Sequence, residues 1–194
     1  GPAQSADAVY DGWAIPPVPV QVADDDVAGV DVDPQGITLT EGGPAAAYTL
    51  VLTGQPAGDV VVTATPGNAD VRLDDAAAGA AVTRTFTTGN WATPQPVSVR
   101  AVDDAIAGGT RATTIVHAAS GGGYGGVSIP SVGVTVEDDD SAGFLLSKTT
   151  LTVPEPAGSD SLSVALLSQP LAEVQVGVGT ASDEIVVSPA LLLF

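Results

Sequence analysis

The chain has 194 residues, and its 23 acidic side chains face only 5 Lys and Arg, giving a formal net charge of −18. It contains no Cys, which excludes a disulfide framework, a zinc–thiolate site and a thiol nucleophile. So few cations argue against a nucleic-acid surface, and no apolar run is long enough for membrane insertion.

Seven short segments alternate apolar and polar side chains, the period of two that is typical of half-buried strands. Turns rich in Gly and Pro separate them, and no segment has a helical apolar stripe. This pattern predicts an all-β fold, a sandwich of about seven strands. In chain order the predicted strands cover about 29–40, 48–52, 60–65, 82–86, 96–102, 113–117 and 132–137.

The chain also repeats itself with a long period. Residues 10–56 align without a gap onto residues 124–170, so that Tyr10 falls on Tyr124, and Val18, Val20 and Val22 fall on Val132, Val134 and Val136. A period of this length is the size of an independent domain, which favours a tandem array. We therefore predict the last strand of one repeat in 1–26, a complete repeat in 27–140 and the first part of a third in 141–194.

Acidic side chains follow alternate strands of the complete repeat. If strand direction alternates, these acids gather at one pole, and no Lys or Arg lies in the segments that carry them. Carboxylates a few ångströms apart repel one another, by about 1 kcal/mol for each pair at 4 Å in water. A hard cation with oxygen ligands would relieve that repulsion, and Ca²⁺ suits flexible loops better than Mg²⁺. The alternative is a solvated acidic rim without an ion.

The residues also resemble a known family, the Calx-beta repeat, in the form found in tandem arrays of large bacterial surface and secreted proteins. The most specific pieces are Val102-Asp103-Asp104 after the fifth strand and the triplet Asp138–Asp140 after the seventh. Thr38-Leu-Thr-Glu41-Gly and Thr85-Phe86 agree with the same pattern, and the resemblance covers nearly the whole chain.

The resemblance implies an immunoglobulin-like, seven-strand Greek-key sandwich that binds Ca²⁺ at the pole where its last strand leaves for the next module. It also implies neighbouring repeats of the same protein as partners, and a secreted or cell-surface location. An acid in the loop after the third strand belongs to the pattern, and here Asp70 is the candidate. The metal ligands expected by matching position are Glu41, Asp70, Asp103, Asp104, Asp138, Asp139 and Asp140. The earlier triplet, Asp24–Asp26, lacks its companion ligands, so we expect weak or no binding there.

Two interpretations of the third repeat stay open, because it has no counterpart of the last three strands. The sequence could be a piece of a longer array, or another copy could complete the module by adding residues 18–22 to its open edge. Head-to-tail addition would build a filament or sheath. An enzyme is not expected, since His117 is the only imidazole and no acid or nucleophile is placed beside it by sequence.

Overall fold

The protein is described by a computed structural model that covers residues 1–23 and 25–194. Its described residues form strands, turns and loops. No α-helix occurs among them, and therefore no helix that could span a membrane. The strands are β1 Val30–Asp33, β2 Gly36–Thr40, β3 Ala46–Leu52, β4 Val60–Pro66, β5 Val71–Leu73, β6 Val82–Phe86, β7 Gln95–Ala101, β8 Arg111–Ser120, β9 Val132–Glu137, β10 Phe144–Leu146, β11 Val164–Leu166, β12 Gln175–Gly177 and β13 Leu191–Leu193.

Two sheets form the complete sandwich. One has the strand order β1-β3-β7-β5 and the other the order β2-β9-β8-β4-β6. All pairings are antiparallel except β2 with β9, which run parallel from Gly36 opposite Gly133 to Thr40 opposite Glu137. The chain changes sheet after each strand from β1 to β7, and only β8 and β9 follow one another within one sheet. The all-β, immunoglobulin-like sandwich expected from the sequence is therefore confirmed.

The first predicted strand differs from the prediction in one respect. Instead of one strand over 29–40, the chain forms β1 in the first sheet and β2 in the second. The break falls at Asp33-Pro34, where Pro34 has no N–H for the ladder and restricts the conformation of the residue before it. The segment 30–40 therefore contributes one strand to each sheet and connects them. A short strand that the sequence analysis missed, β5, pairs with the end of β7.

The core consists of the inward-facing side chains of both sheets. Along β4 and β7, alternate residues are buried, and on β9 Val132, Val134 and Val136 are almost fully so. Tyr124 is also buried, and its hydroxyl donates a hydrogen bond to the Gly54 carbonyl oxygen at 2.5 Å. This alternation is what holds the ends of the strands, and the loops they carry, in fixed positions.

The segments on either side are less regular. Residues 1–23 contain turns but no strand, and residues 144–194 form only two short antiparallel pairs, β10 with β11 and β12 with β13. Phe144, Leu145 and Leu193 remain about half exposed there. The proposed division into three repeats stays a prediction. Asp24 lies outside the described residues, so the first acidic triplet is not described as a whole.

Candidate metal centre

The acidic loops follow the ends of β2, β4, β7 and β9, and these ends meet at one pole. β9 and β2 are parallel, and β4 runs in the same direction because both β4 and β9 are antiparallel to β8. The loop after β4 touches the end of β7 through a hydrogen bond from Val102 N to the Asp70 carbonyl oxygen, at 2.8 Å. The loop after β7 reaches the end of β2, since the Asp103 carboxylate lies against Gly42.

Glu41 is the one charged side chain buried among the described residues, with 1% of its surface exposed. It follows β2, and its backbone N–H donates to the Glu137 carbonyl oxygen at 2.9 Å, which continues the β2–β9 ladder. Its Oε2 accepts no hydrogen bond from any described residue. A buried carboxylate oxygen without a partner is costly, so this position calls for a cation.

The triplet after β9 lies beside Glu41. One carboxylate oxygen from each of Glu41, Asp138, Asp139 and Asp140 can be chosen so that all four lie within 4.8 Å of one another. Asp138 is oriented by two backbone N–H groups, from Gly109 to Oδ2 at 2.5 Å and from Asp140 to Oδ1 at 2.9 Å. Asp140 Oδ2 is shielded from solvent and has no hydrogen-bond partner among the described residues.

Arg111 supplies the positive charge that the sequence analysis did not find. It begins β8 directly opposite Val136 of β9, and its guanidinium lies against Glu41 Oε1 and 3.2 Å from Asp104 Oδ2. No Lys or Arg lies within the acidic segments, as the sequence shows, but the guanidinium of Arg111 reaches them from the start of β8. The single guanidinium still leaves a large excess of negative charge on the six carboxylates at this pole, those of Glu41, Asp103, Asp104 and Asp138–Asp140.

The remaining expected ligands lie at the same pole but outside the tight group of four. Asp103 faces Gly42, whose backbone has φ +60°, and Asp104 Oδ1 accepts the Ile106 N–H at 2.8 Å. The Asp70 carboxylate accepts a hydrogen bond from the Asn68 side-chain amide at 2.7 Å. The described contacts bring Asp103 and Asp104 to the edge of the cluster, whereas they turn the Asp70 carboxylate toward its own loop.

The electrostatics of the triplet differ from one residue to the next. Desolvation and the charges of Asp138, Asp139, Asp104 and Asp103 raise the pKa of Asp140. Hydrogen bonds from the backbone N–H groups of Gly109 and Asp140 lower the pKa of Asp138, so that carboxylate is held in its charged form. Desolvation, and then repulsion by its acidic neighbours, therefore both disfavour the charged form of Asp140.

The arrangement fits a hard divalent cation. Ca²⁺ lies about 2.3–2.6 Å from its oxygen ligands, so two ligand oxygens can be at most about 5 Å apart. The four oxygens of Glu41 and the triplet meet that limit. The donor set consists of carboxylates, the ligand type that such cations prefer, and two of its buried oxygens lack another partner.

Comparisons with known proteins give similarities of fold. No family model and no curated protein matches the chain. Among solved structures, the chain is similar to the "Apo-form Calx CBD1 domain" (17% identity, TM-score 0.46, covering 59% of this chain and all of that one). It is also similar to "calcium binding domain CBD12 of CALX1.1" (21% identity, TM-score 0.45), covering 75% of this chain and 61% of that one. A third is the "Periplasmic Chaperone SfaE" (6% identity, TM-score 0.42), which covers 57% of this chain and 58% of that one. The functional interpretation therefore depends on the residues of this chain.

Proposed function

We propose that this chain is a calcium-binding structural module of the Calx-beta type, in which Ca²⁺ is held by Glu41 and the triplet Asp138–Asp140. The observation that carries the proposal is the buried Glu41 carboxylate. Its Oε2 lacks a partner, and one of its oxygens lies within 4.8 Å of a carboxylate oxygen of each of Asp138, Asp139 and Asp140. Asp103 and Asp104 would contribute from the edge of the site, and Asp70 would at most support the loop.

The mechanism is electrostatic. Without a metal, Arg111 is the counter-charge of Glu41. A divalent ion among the four carboxylates would offset more of their repulsion than one guanidinium can, and it would provide the buried oxygens with ligand bonds. Arg111 contacts Oε1 and leaves Oε2 for the ion, so its positive charge opposes Ca²⁺ binding by repulsion without occupying the same oxygen. Affinities of extracellular calcium modules are on the order of 10⁻⁴–10⁻³ M, and we expect this range here.

The position of the site suggests what the ion would do for the molecule. Asp140 directly precedes the predicted third repeat, residues 141–194. Within that segment, Gln169 N donates to the Ala105 carbonyl oxygen at 2.6 Å. Ala105 directly follows Asp103 and Asp104. We propose that the bound ion stiffens this junction between adjacent modules, and that the protein acts as a spacing or adhesive element outside the cell.

A structural role without catalysis is also part of the proposal. Both ring nitrogens of His117 are engaged: Nε2 lies 2.9 Å from the Tyr48 hydroxyl and Nδ1 lies 2.8 Å from the Pro130 carbonyl oxygen. An imidazole held in this way on a strand supports packing and leaves no nitrogen available as a general base.

Calorimetric titration of the full chain with CaCl₂ tests the proposal. Asp139 is exposed, so Asp139→Asn should leave the fold intact and weaken Ca²⁺ binding at least tenfold. Asp59→Asn is the matched control, because Asp59 is an exposed acid at the opposite end of β4. Binding equally reduced by both variants, or no binding of Ca²⁺ by the wild type at millimolar concentration, would contradict the proposal.

A further inference from the structure

Two arginines lie side by side on the outer face of the four-stranded sheet. β5 pairs with β7 in a register that places Arg72 directly opposite Arg100. The neighbouring residues Val71, Leu73 and Val99 are fully buried, so the alternation along each strand turns both arginine side chains outward. Residues opposite each other in such a pair have Cβ atoms about 4.5–5.5 Å apart. The two guanidinium groups can therefore reach the same ligand.

This pair has no acidic partner, although the chain is rich in acids. Of the five cationic side chains, Arg84, Arg111 and Lys148 each contact a carboxylate. Within the part of the chain that the structure describes, no carboxylate forms an ion pair with Arg72 or Arg100. The fold therefore places the two remaining cations next to each other instead of beside the many acids.

The nearest acids in the sequence have other partners. Asp70 and Asp74 lie two residues before and two residues after the arginine of β5. The Asp70 carboxylate accepts a hydrogen bond from the Asn68 side-chain amide at 2.7 Å. The Asp74 carboxylate accepts the Ser98 N–H at 3.0 Å and pairs with Arg84 at 2.5 Å. Neither carboxylate therefore serves as the counter-charge of the arginine pair.

The arrangement is unfavourable unless a negative group joins it. Like charges directly opposite each other destabilise a pair of strands. In addition, Arg72 Nε is shielded from solvent and has no hydrogen-bond partner among the described residues. A shielded donor of a charged group is costly when it has no acceptor. A bound anion would supply both the negative charge and the acceptor atoms that this pair lacks.

We propose that Arg72 and Arg100 bind a small tetrahedral oxyanion, a phosphate or a phosphate monoester. Each guanidinium offers a planar fork of N–H donors that matches two phosphate oxygens. Two forks from neighbouring strands need acceptor oxygens in more than one plane, which a tetrahedral anion has and a single carboxylate lacks. The net charge of −18 repels an extended polyanion, so the ligand is a single small group.

Nuclear magnetic resonance of the ¹⁵N-labelled full chain tests this site without calcium. The protein is freed of metal on a chelating resin, so that no soluble carboxylate competes, and is titrated with inorganic phosphate at constant ionic strength. The chain has four arginines. Phosphate at millimolar concentration should shift the Nε–H signals of Arg72 and Arg100 and leave those of Arg84 and Arg111 in place. Equal shifts of all four signals, or the same shifts with NaCl alone, would overturn the proposal.

Variants separate a specific site from general attraction by positive charge. Arg100 is exposed, so Arg100→Gln should fold, and it should weaken phosphate binding about tenfold or more because one charge-assisted fork is lost. Arg100→Lys keeps the charge without the fork, and it should also bind more weakly than the wild type. Lys148→Gln is the matched control, since it removes one positive charge elsewhere, and it should leave the affinity unchanged. Equal weakening by Arg100→Gln and Lys148→Gln would contradict the site.

Thermal melting gives a second, independent measurement. Without phosphate, Arg100→Gln should melt no lower than the wild type, because it removes the repulsion between the two guanidinium groups. Phosphate should raise the Tm of the wild type more than that of the variant, and an equal rise in both would overturn the proposal. Titration with methyl phosphate then identifies the source of the ligand. Tighter binding than inorganic phosphate indicates an ester on a larger molecule, and weaker binding indicates the free ion.

Discussion

The substitution Arg111→Gln gives the most direct test of the electrostatic mechanism. It removes the positive charge beside Glu41, whose side chain is fully buried, while Arg111 itself is 31% exposed. Removing one partner of a fully buried ion pair costs about 3–5 kcal/mol. Because Arg111 is partly solvated, we expect a loss of about 2 kcal/mol of unfolding free energy in the absence of calcium.

Calcium should remove most of this loss. A ligand at 100 times its Kd stabilises the folded state by about 2.7 kcal/mol. The variant should gain more than the wild type, because it lacks the positive charge of Arg111 that repels the ion. Each kcal/mol moves the Tm of a small domain by about 4–8 °C. We therefore expect the variant to melt about 10 °C below the wild type in chelator and within a few degrees of it in saturating calcium.

The assay is thermal melting followed by circular dichroism, with Arg84→Gln as the control. Arg84 pairs with Asp74 at 2.5 Å, remote from the acidic pole, so its loss should cost the same with and without calcium. If the Tm of Arg111→Gln lies equally far below that of the wild type in calcium and in chelator, the opposition between Arg111 and the metal is refuted.

Three further predictions concern single side chains. Asp70→Asn should weaken calcium binding less than Asp139→Asn in calorimetry, because the Asp70 carboxylate is bonded within its own loop; an equal loss would make Asp70 a ligand. Burial lowers the pKa of His117, so the unfolded chain, with an ordinary value near 6.5, binds the proton first. Stability in urea should therefore fall as pH drops below about 6.5, and His117→Gln should flatten that dependence; an unchanged slope would contradict it. Tyr124→Phe should cost about 1–3 kcal/mol in urea denaturation, since the buried Gly54 N–H and carbonyl oxygen lose their partner; a neutral effect would contradict this.

Much of the sandwich could be predicted because local alternation and burial agree. The segments later found as β3, β4 and β9 have period-two patterns that tertiary packing leaves unchanged. The first predicted strand divides into β1 and β2 at Pro34. Which sheet each half joins depends on its partners in the fold, and the alternation of apolar residues along the sequence does not specify those partners. The three-residue strand β5 is too short for a period to be recognised, and it forms because β7 offers a free edge beside it.

The candidate site was less predictable because it depends on register between strands. Arg111 reaches Glu41 only because β8 begins opposite Val136, near the end of β9, and neither β-strand pattern carries that information. The burial of Glu41 depends on its position after β2, between β9 and the loop after β7. By contrast, Asp138–Asp140 are adjacent in sequence, so their concentration of negative charge could be predicted, although the convergence of their carboxylates depends on the conformation of the loop.

The parallel contact between β2 and β9 also has a mechanical consequence. β2 lies near the N-terminal end of the complete module and β9 at its C-terminal end, and the two strands are parallel. A force that pulls these two ends of the module apart therefore slides one strand along the other. All five paired positions, from Gly36 with Gly133 to Thr40 with Glu137, then bear the load together instead of opening one at a time. Stretching of this module is therefore opposed by shear along the whole contact between β2 and β9.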